Sequence, residues 1–431
     1  MNHLPSFPSD CCRFSVRPQQ ALPLVLPLAG LLLAALLSGC GGGSGAGDPA
    51  SQADPAAEPI ATAEPAVAFA SGAIDGFGSI VVNGVHYDER SAVIRDDDGK
   101  SVDAGDLKLG MVVDVSASLP VATTRGTLAA VADAIRIRSE IDGPLTAIDP
   151  PSRTLMVLGQ SVQVTDTTVF TDGLRGGFGA LAVGQRLEIH GFATGFGRYT
   201  ASRIEREDPD DDPYKVRGLV GALDPAGRTF RLGELTVAYG GLAAVPADLA
   251  DGAIVRVRLP HAADADGRWA ASRLETAAAG SGGLPGNGTG TAAAGVRAEI
   301  EGPVQAVLGG GRYRVDGVVV ETGAARRMPA ELPVGASVEV EGWLRDGVLH
   351  ADTVELERGP GRDDGFEIEG TITAVDAAAT TFQVRGVTVD ASGARFEDGT
   401  AARLQVGARV EIRGRLAADG ATLAATVIDF D

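Results

Sequence analysis

Phe366-Glu367-Ile368-Glu369-Gly370-Thr371-Ile372-Thr373-Ala374-Val375 alternates apolar and polar side chains, as does Arg409-Val410-Glu411-Ile412-Arg413-Gly414-Arg415-Leu416. A period of two sends successive side chains to opposite faces, so these are half-buried antiparallel strands. Between them Arg385-Gly386 separates two short apolar runs. Tight hairpins need positive φ at the turn, which glycine adopts freely. Comparable turns stand at Asn83-Gly84, Gly159-Gln160, Gly233-Glu234 and Asp316-Gly317. A second turn precedes the last strand, as at Asp346-Gly347 and Asp419-Gly420.

Two further markers show that this unit is repeated. A glycine before a strand-like end appears as Leu109-Gly110, Val183-Gly184, Asp251-Gly252, Val334-Gly335 and Val406-Gly407, at spacings of 74, 68, 83 and 72. An alanine followed three positions on by an aliphatic residue appears as Ala132-Asp133-Ala134-Ile135, Ala201-Ser202-Arg203-Ile204, Ala271-Ser272-Arg273-Leu274, Ala351-Asp352-Thr353-Val354 and Ala424-Ala425-Thr426-Val427. Those alanines fall 69, 70, 80 and 73 apart, the same cadence. The chain therefore reads as five repeats, about 70–139, 140–206, 214–277, 297–358 and 366–431. No stretch from Gly72 onward has the pattern of a long amphipathic helix.

Each repeat holds five or six short strands. A flat sheet that small leaves exposed edges, and closure into a barrel removes them. The expected fold is all-β: five tandem small antiparallel OB-like barrels, with a small open sandwich as the second choice. Gly191, Gly342 and Gly414 suit bends at barrel corners. Domains this small are marginal alone, which makes packing between neighbours plausible. The linker Glu207–Pro213 is short and stiff, whereas 278–296 is rich in Ala, Gly, Ser and Thr. The linkers suggest three units, a loose joint, then two units.

The start of the chain reads separately. Ala21 to Leu37 is apolar, Arg13 and Arg17 precede it, and Leu37-Ser38-Gly39-Cys40 closes it. That run resembles a bacterial lipoprotein signal. The resemblance implies cleavage of 1–39, lipid on Cys40 and a flexible tether over 40–69. An ordinary cleaved signal and a retained membrane helix are the other readings. The helix would be only 17 residues long, with Pro23 and Pro27 inside it. Cleavage would remove Cys11 and Cys12 and leave 392 residues. It also removes Arg13, Arg17 and Asp10, so a net charge of −20 becomes −21. That charge opposes binding to nucleic acid phosphates.

Gly76-Phe77-Gly78-Ser79-Ile80-Val81-Val82-Asn83-Gly84-Val85-His86-Tyr87, then Asp98-Gly99 and Leu109-Gly110-Met111-Val112-Val113-Asp114-Val115, resembles the bacterial envelope family called "domain of unknown function 5666". The likeness runs over nearly all of 70–431, best in the first, second and fifth copies and weakest in the third, where Asp251-Gly252 replaces Val-Gly. It implies tandem small β domains, often in lipoproteins, and no transferable catalytic residues.

The search for chemistry finds no catalytic set and calls for no cofactor. His86, His190, His261 and His350 occupy non-equivalent positions and read as surface or edge residues. His190 stands where other copies carry Glu341 and Arg413, the mark of a solvated position. The acid runs Asp96-Asp97-Asp98, Asp208–Asp212 and Asp363-Asp364 read as solvated loops, with Asp208, Asp210, Asp211 and Asp212 the weak calcium candidates. Gly76-Phe77-Gly78 and Gly176–Gly179 join no strand to a helix, so they read as turns rather than phosphate loops. Phe77, Phe170, Phe230, Phe382 and Phe396 are expected in barrel cores, and Trp343 is the candidate sugar-stacking residue. The leading expectation is a non-enzymatic envelope lipoprotein. Its barrels would bind polysaccharide or an envelope protein, with membrane contact through the lipid and outer-membrane placement if the host is Gram-negative. An enzyme with a site in one diverged repeat and an OB-like single-stranded nucleic acid binder are the alternatives.

Overall fold

The computed structural model describes residues 67–124, 126–208, 212–277, 295–356, 365–376, 378 and 380–430. Cys40, the signal, most of the tether and of the 278–296 linker, Asp210 and Asp211 lie outside the described residues.

The second repeat shows the barrel most plainly. Its strands run Ile141–Asp149, Thr154–Val157, Gln160–Phe170, Arg186–Gly195 and Arg198–Glu207. First pairs second and second pairs third, both antiparallel. The third lies parallel to the fifth, the fifth antiparallel to the fourth, and the fourth returns to the first. The ring order 1-2-3-5-4 closes the sheet, which is the OB-like arrangement expected from the sequence. The fourth repeat repeats that order with Val296–Gly309, Arg312–Val315, Val318–Glu321, Ser337–Arg345 and Val348–Leu356. Beside the last strand, repeat five adds one short extra strand and repeat one adds two, Val93–Arg95 and Val121–Ala122. In repeat three the first and last strands are each broken in two, but the order is kept.

The glycine marker is a joint of this ring. Gly110, Gly184, Gly252, Gly335 and Gly407 each donate an N–H to a first-strand carbonyl: Ile74, Leu145, Val220, Val304 and Ile372, at 2.7–2.9 Å. Each of those five residues in turn donates to the carbonyl that follows the glycine, closing a two-bond clasp. The glycines all have φ between +77° and +94°, where other residues are strained. Asp251-Gly252 makes the same clasp, so the third repeat's divergence leaves its joint intact. At Gly191, Gly342 and Gly414 the ladder slips by one residue, which is the expected corner bulge. The hairpin turns carry paired positive φ at Asn83-Gly84, Asp316-Gly317 and Arg385-Gly386. In the second repeat the pair is Leu158-Gly159, one position earlier than Gly159-Gln160.

Burial follows the alternation. Phe77, Phe170, Phe230 and Phe382 are core residues, while Phe396 is half-buried and stacks on Phe430 with ring centroids 6.2 Å apart.

The barrels are not two groups on a loose joint. Ala68–Ser71 of the first strand runs parallel to Arg297–Ile300 of the fourth repeat, and Gly76-Phe77 pairs with Glu367-Ile368 of the fifth. The cause is a mismatch of lengths. The first strand, Val67–Phe77, spans 11 residues and its hairpin partner Ile80–Val82 only 3, so half of one edge is left for another barrel. Repeats one and five share a single apolar cluster, and repeats two and three share another.

Candidate functional site

Four barrels meet at a buried ionic junction. Arg138 ends the last strand of barrel one, Glu140 opens barrel two, Arg217 lies in barrel three and Asp316 in the hairpin turn of barrel four. Arg138 donates to Asp316 at 2.8 Å and lies 3.5 Å from Asp114. Arg217 donates to Glu140 at 2.8 Å and to the other oxygen of Asp316 at 3.2 Å. Burial opposes the Arg138 charge, but the carboxylates of Asp114, Asp316 and Glu140 outweigh it and hold its pKa up. Burial pushes the Glu140 carboxyl up to about 7, against the pull of Arg217 and Arg138. The desolvation cost of such a network nearly offsets its attraction, so the intact network adds little net stability, whereas loss of one member strands a buried charge.

Asp96-Asp97-Asp98 belongs to the same seam and is not a solvated loop. Asp97 accepts from the Ser139 amide at 2.8 Å and lies 2.9 Å from Arg256. Asp98 meets Lys215 at 3.3 Å, Arg256 at 3.3 Å and Arg258. A turn of barrel one is thereby clamped to barrel three. His190 likewise corrects its expectation. It is buried, with Nδ1 2.6 Å from the Arg138 carbonyl and Nε2 about 4 Å from Glu188 and Glu205. Glu341 and Arg413, which hold its position in barrels four and five, are partly or fully exposed, whereas barrel one covers this one. His86, His261 and His350 are partly or fully exposed.

Two clefts open along these seams. One of about 430 Å³ lies between barrels one and three, with five acidic residues (Asp96, Asp97, Asp98, Asp114, Glu275) against four arginines (Arg95, Arg136, Arg256, Arg273). Most of those charges are already paired. The other, about 420 Å³, lies where barrels one, two and five meet. Its floor is apolar, with Phe77, Leu109, Val169 and Phe170. Its charged lining is Lys108, Arg203, Arg206 and Arg385 against Glu205 and Asp208, a cationic surplus in an acidic chain. Arg203 is bound to Glu205 and donates to the Leu109 carbonyl at 3.1 Å. Lys108 donates to the Gly105 carbonyl at 2.6 Å. Arg385 lies over the Phe77 ring at 5.7 Å and donates to the Glu369 and Gly78 carbonyls, with Glu89 3.8 Å away. Burial opposes the charge on Glu205, but Arg203, His190 and Lys108 lower its pKa, so it stays ionised.

The sequence-derived candidates are scattered. Asp208 lines the cationic cleft and Asp212 is exposed, its carbonyl 2.8 Å from His261 Nε2. Among the described residues no group of three or more His, Cys, Asp or Glu is gathered for a metal. Trp343 is half-buried on the outer side of barrel four, opposite His350, and Arg297 lies 6.0 Å over its ring. Arg297 is itself held by Glu341 and Asp352. Trp343 lines neither cleft. Sequence reading missed Lys108, Arg206 and Arg385. They come from three different repeats at unrelated positions, and only Arg385, in a recognised turn, carried any local signal.

A family model described as Domain of unknown function (DUF5666) matches residues 142–205, 301–355 and 369–429. These are the second, fourth and fifth barrels, so three of the five units match this domain. The first barrel, whose residues carried the resemblance, lies outside the matched segments. No curated protein matches the chain. Among solved structures, drosophila Unr CSD456 is similar at 16% identity and a TM-score of 0.13, covering 52% of this chain and 98% of that one.

Proposed function

We propose that this tandem DUF5666 array is a non-enzymatic scaffold of the cell envelope, held to the membrane by lipid on Cys40. Its ligand is an acidic polysaccharide, taken in the cleft where barrels one, two and five meet. One observation carries the reading. A chain of net charge −20 gathers four cationic side chains against two acidic ones around a cleft of about 420 Å³. That volume falls within the ordinary range for small-ligand sites and suits one or two sugar units. Carboxylates on a sugar chain answer Lys108, Arg206 and Arg385, and the apolar floor answers the faces of sugar rings. Three barrels supply the lining, so the ligand would read the assembled array rather than any one repeat. A fixed arrangement of barrels also suits multivalent contact with a repeating polymer.

Calorimetric titration with oligogalacturonate tests this, with neutral dextran and single-stranded DNA as companions. Saturable, salt-sensitive binding of the uronate, weakened at least about tenfold by Lys108→Glu with Arg206→Glu, supports it. Uronate binding that ignores both substitutions removes the cleft from the account. Tighter binding to the DNA would return the OB-like nucleic acid reading.

A further inference from the structure

Leu109-Gly110 of barrel one is buried against barrel two. Ser202 Oγ donates to the Gly110 carbonyl at 2.6 Å, and Arg203 donates to the Leu109 carbonyl at 3.1 Å. A side chain at Gly110 would meet the Ser202 carbonyl at 2.6 Å. The contact is a knob, the aliphatic-Gly clasp of one repeat, in a seat, the Ala201-Ser202-Arg203-Ile204-Glu205 corner of another. Leu109 is 2% exposed as a result.

The same knob recurs without a seat. Val183, Val334 and Val406 hold the position of Leu109 and are 63%, 50% and 66% exposed. Nothing lies within 4 Å of where a side chain at Gly184, Gly335 or Gly407 would stand. The seat recurs without a knob. Ala271-Ser272-Arg273-Leu274-Glu275 of barrel three differs from the filled seat in one residue, leucine for isoleucine. It reproduces the Arg-Glu pairing two positions apart, with Arg273 donating to Glu275 at 2.9 Å. Its Ser272 and Arg273 are exposed. Arg273 and Glu275 border the cleft between barrels one and three, where Val93, 53% exposed, supplies an aliphatic wall. The other three copies have no Ser-Arg at this corner.

We propose that the barrel-three seat, Ala271–Glu275, receives a Val-Gly knob from a second copy of this chain, Val406-Gly407 foremost as the most exposed. The filled pair inside the chain is the template: the incoming valine packs beside Val93, Arg273 donates to the valine's carbonyl and Ser272 to the glycine's. The two surfaces differ, so the contact is heterologous and adds copies head to tail, as a ring or a filament. One small contact places the affinity in the weak, transient class. This goes beyond the polysaccharide reading and stands without it.

Sedimentation velocity over a concentration series tests it on the purified full chain. The wild type should associate by a protein concentration on the order of 100 μM, as a weak interface does. Arg273→Ala, and separately Val183→Asp with Val334→Asp and Val406→Asp, should each abolish this. All four positions are at least half exposed, so an unchanged melting temperature certifies the fold. Mixing the seat variant, whose knobs are intact, with the knob variant, whose seat is intact, restores only contacts between the two and should give mixed complexes that neither variant forms alone. A monomeric wild type at that concentration overturns the proposal, as does association that survives either variant. Neither result touches uronate binding in the other cleft.

Discussion

The Asp316 carboxylate, in a hairpin turn of the fourth barrel, accepts a 2.8 Å hydrogen bond from Arg138, the last strand residue of the first. Its second oxygen takes Arg217 of the third barrel, and Asp316 is fully buried. Removing one member of a buried pair strands the other charge, so Asp316→Ala should cost about 3–5 kcal/mol. Asp316→Asn keeps an acceptor and tolerates the turn's φ of +42° but lacks the charge, so its loss should be smaller. Urea denaturation midpoints measure both. An alanine variant within about 0.5 kcal/mol of wild type would show that the junction is only a surface contact.

How far the sequence alone reached depends on the range of the interaction. The alternation at Phe366–Val375 and the glycine cadence are local, and they point to repeated small OB-like barrels, whereas the two-bond clasp at each glycine emerges only from the structure. His190 was misread because its counterparts Glu341 and Arg413 face solvent, and only the neighbouring barrel makes its position interior. Asp98 was misread because its partners Arg256 and Arg258 lie 158 and 160 positions away. The cationic cleft was illegible for the same reason: Lys108, Arg206 and Arg385 share no motif and meet only once the barrels pack. The knob and seat are the exception, since both motifs were plain in the sequence and only their pairing needed the structure.

Gly342 and Gly407 separate two reasons for a glycine. A side chain at Gly342 would stand 2.1 Å from the His350 carbonyl, so the fourth and fifth strands of that barrel must part. Gly342→Ala should cost about 3 kcal/mol. At Gly407 there is open space and only φ of +93° to strain, so Gly407→Ala should cost about 1–2 kcal/mol. Thermal unfolding ranks them, and equal losses would contradict the close approach.

The lipid proposal predicts where the protein fractionates. Several acyl chains on one cysteine hold a protein stably, at about 0.8 kcal/mol per buried methylene. Cys40→Ser should move the chain to the soluble fraction with an unchanged melting profile, because the barrels begin beyond the tether. A variant that stays with membranes after a carbonate wash would instead favour a retained helix at Ala21–Leu37.

Glu299 should make stability depend on pH. It lies where barrel four runs beside barrel one, opposite Ala70, and across the ladder from Glu341. Burial first, then the charges of Glu339 and Glu341, push its carboxyl from 4.5 up to about 9, with Arg297 offsetting part. Between those values the folded chain holds a proton that the unfolded chain has lost. Stability from this site is therefore complete below pH 4.5 and drains away as pH rises toward 9, at no more than about 1.4 kcal/mol per unit. Glu299→Gln fixes the neutral form. It should match wild type near pH 4, exceed it increasingly from pH 6 to 8, and flatten the slope. Calorimetric melting at unit pH steps gives the comparison, and parallel profiles for the two proteins would mean that the Glu299 proton is not held through folding.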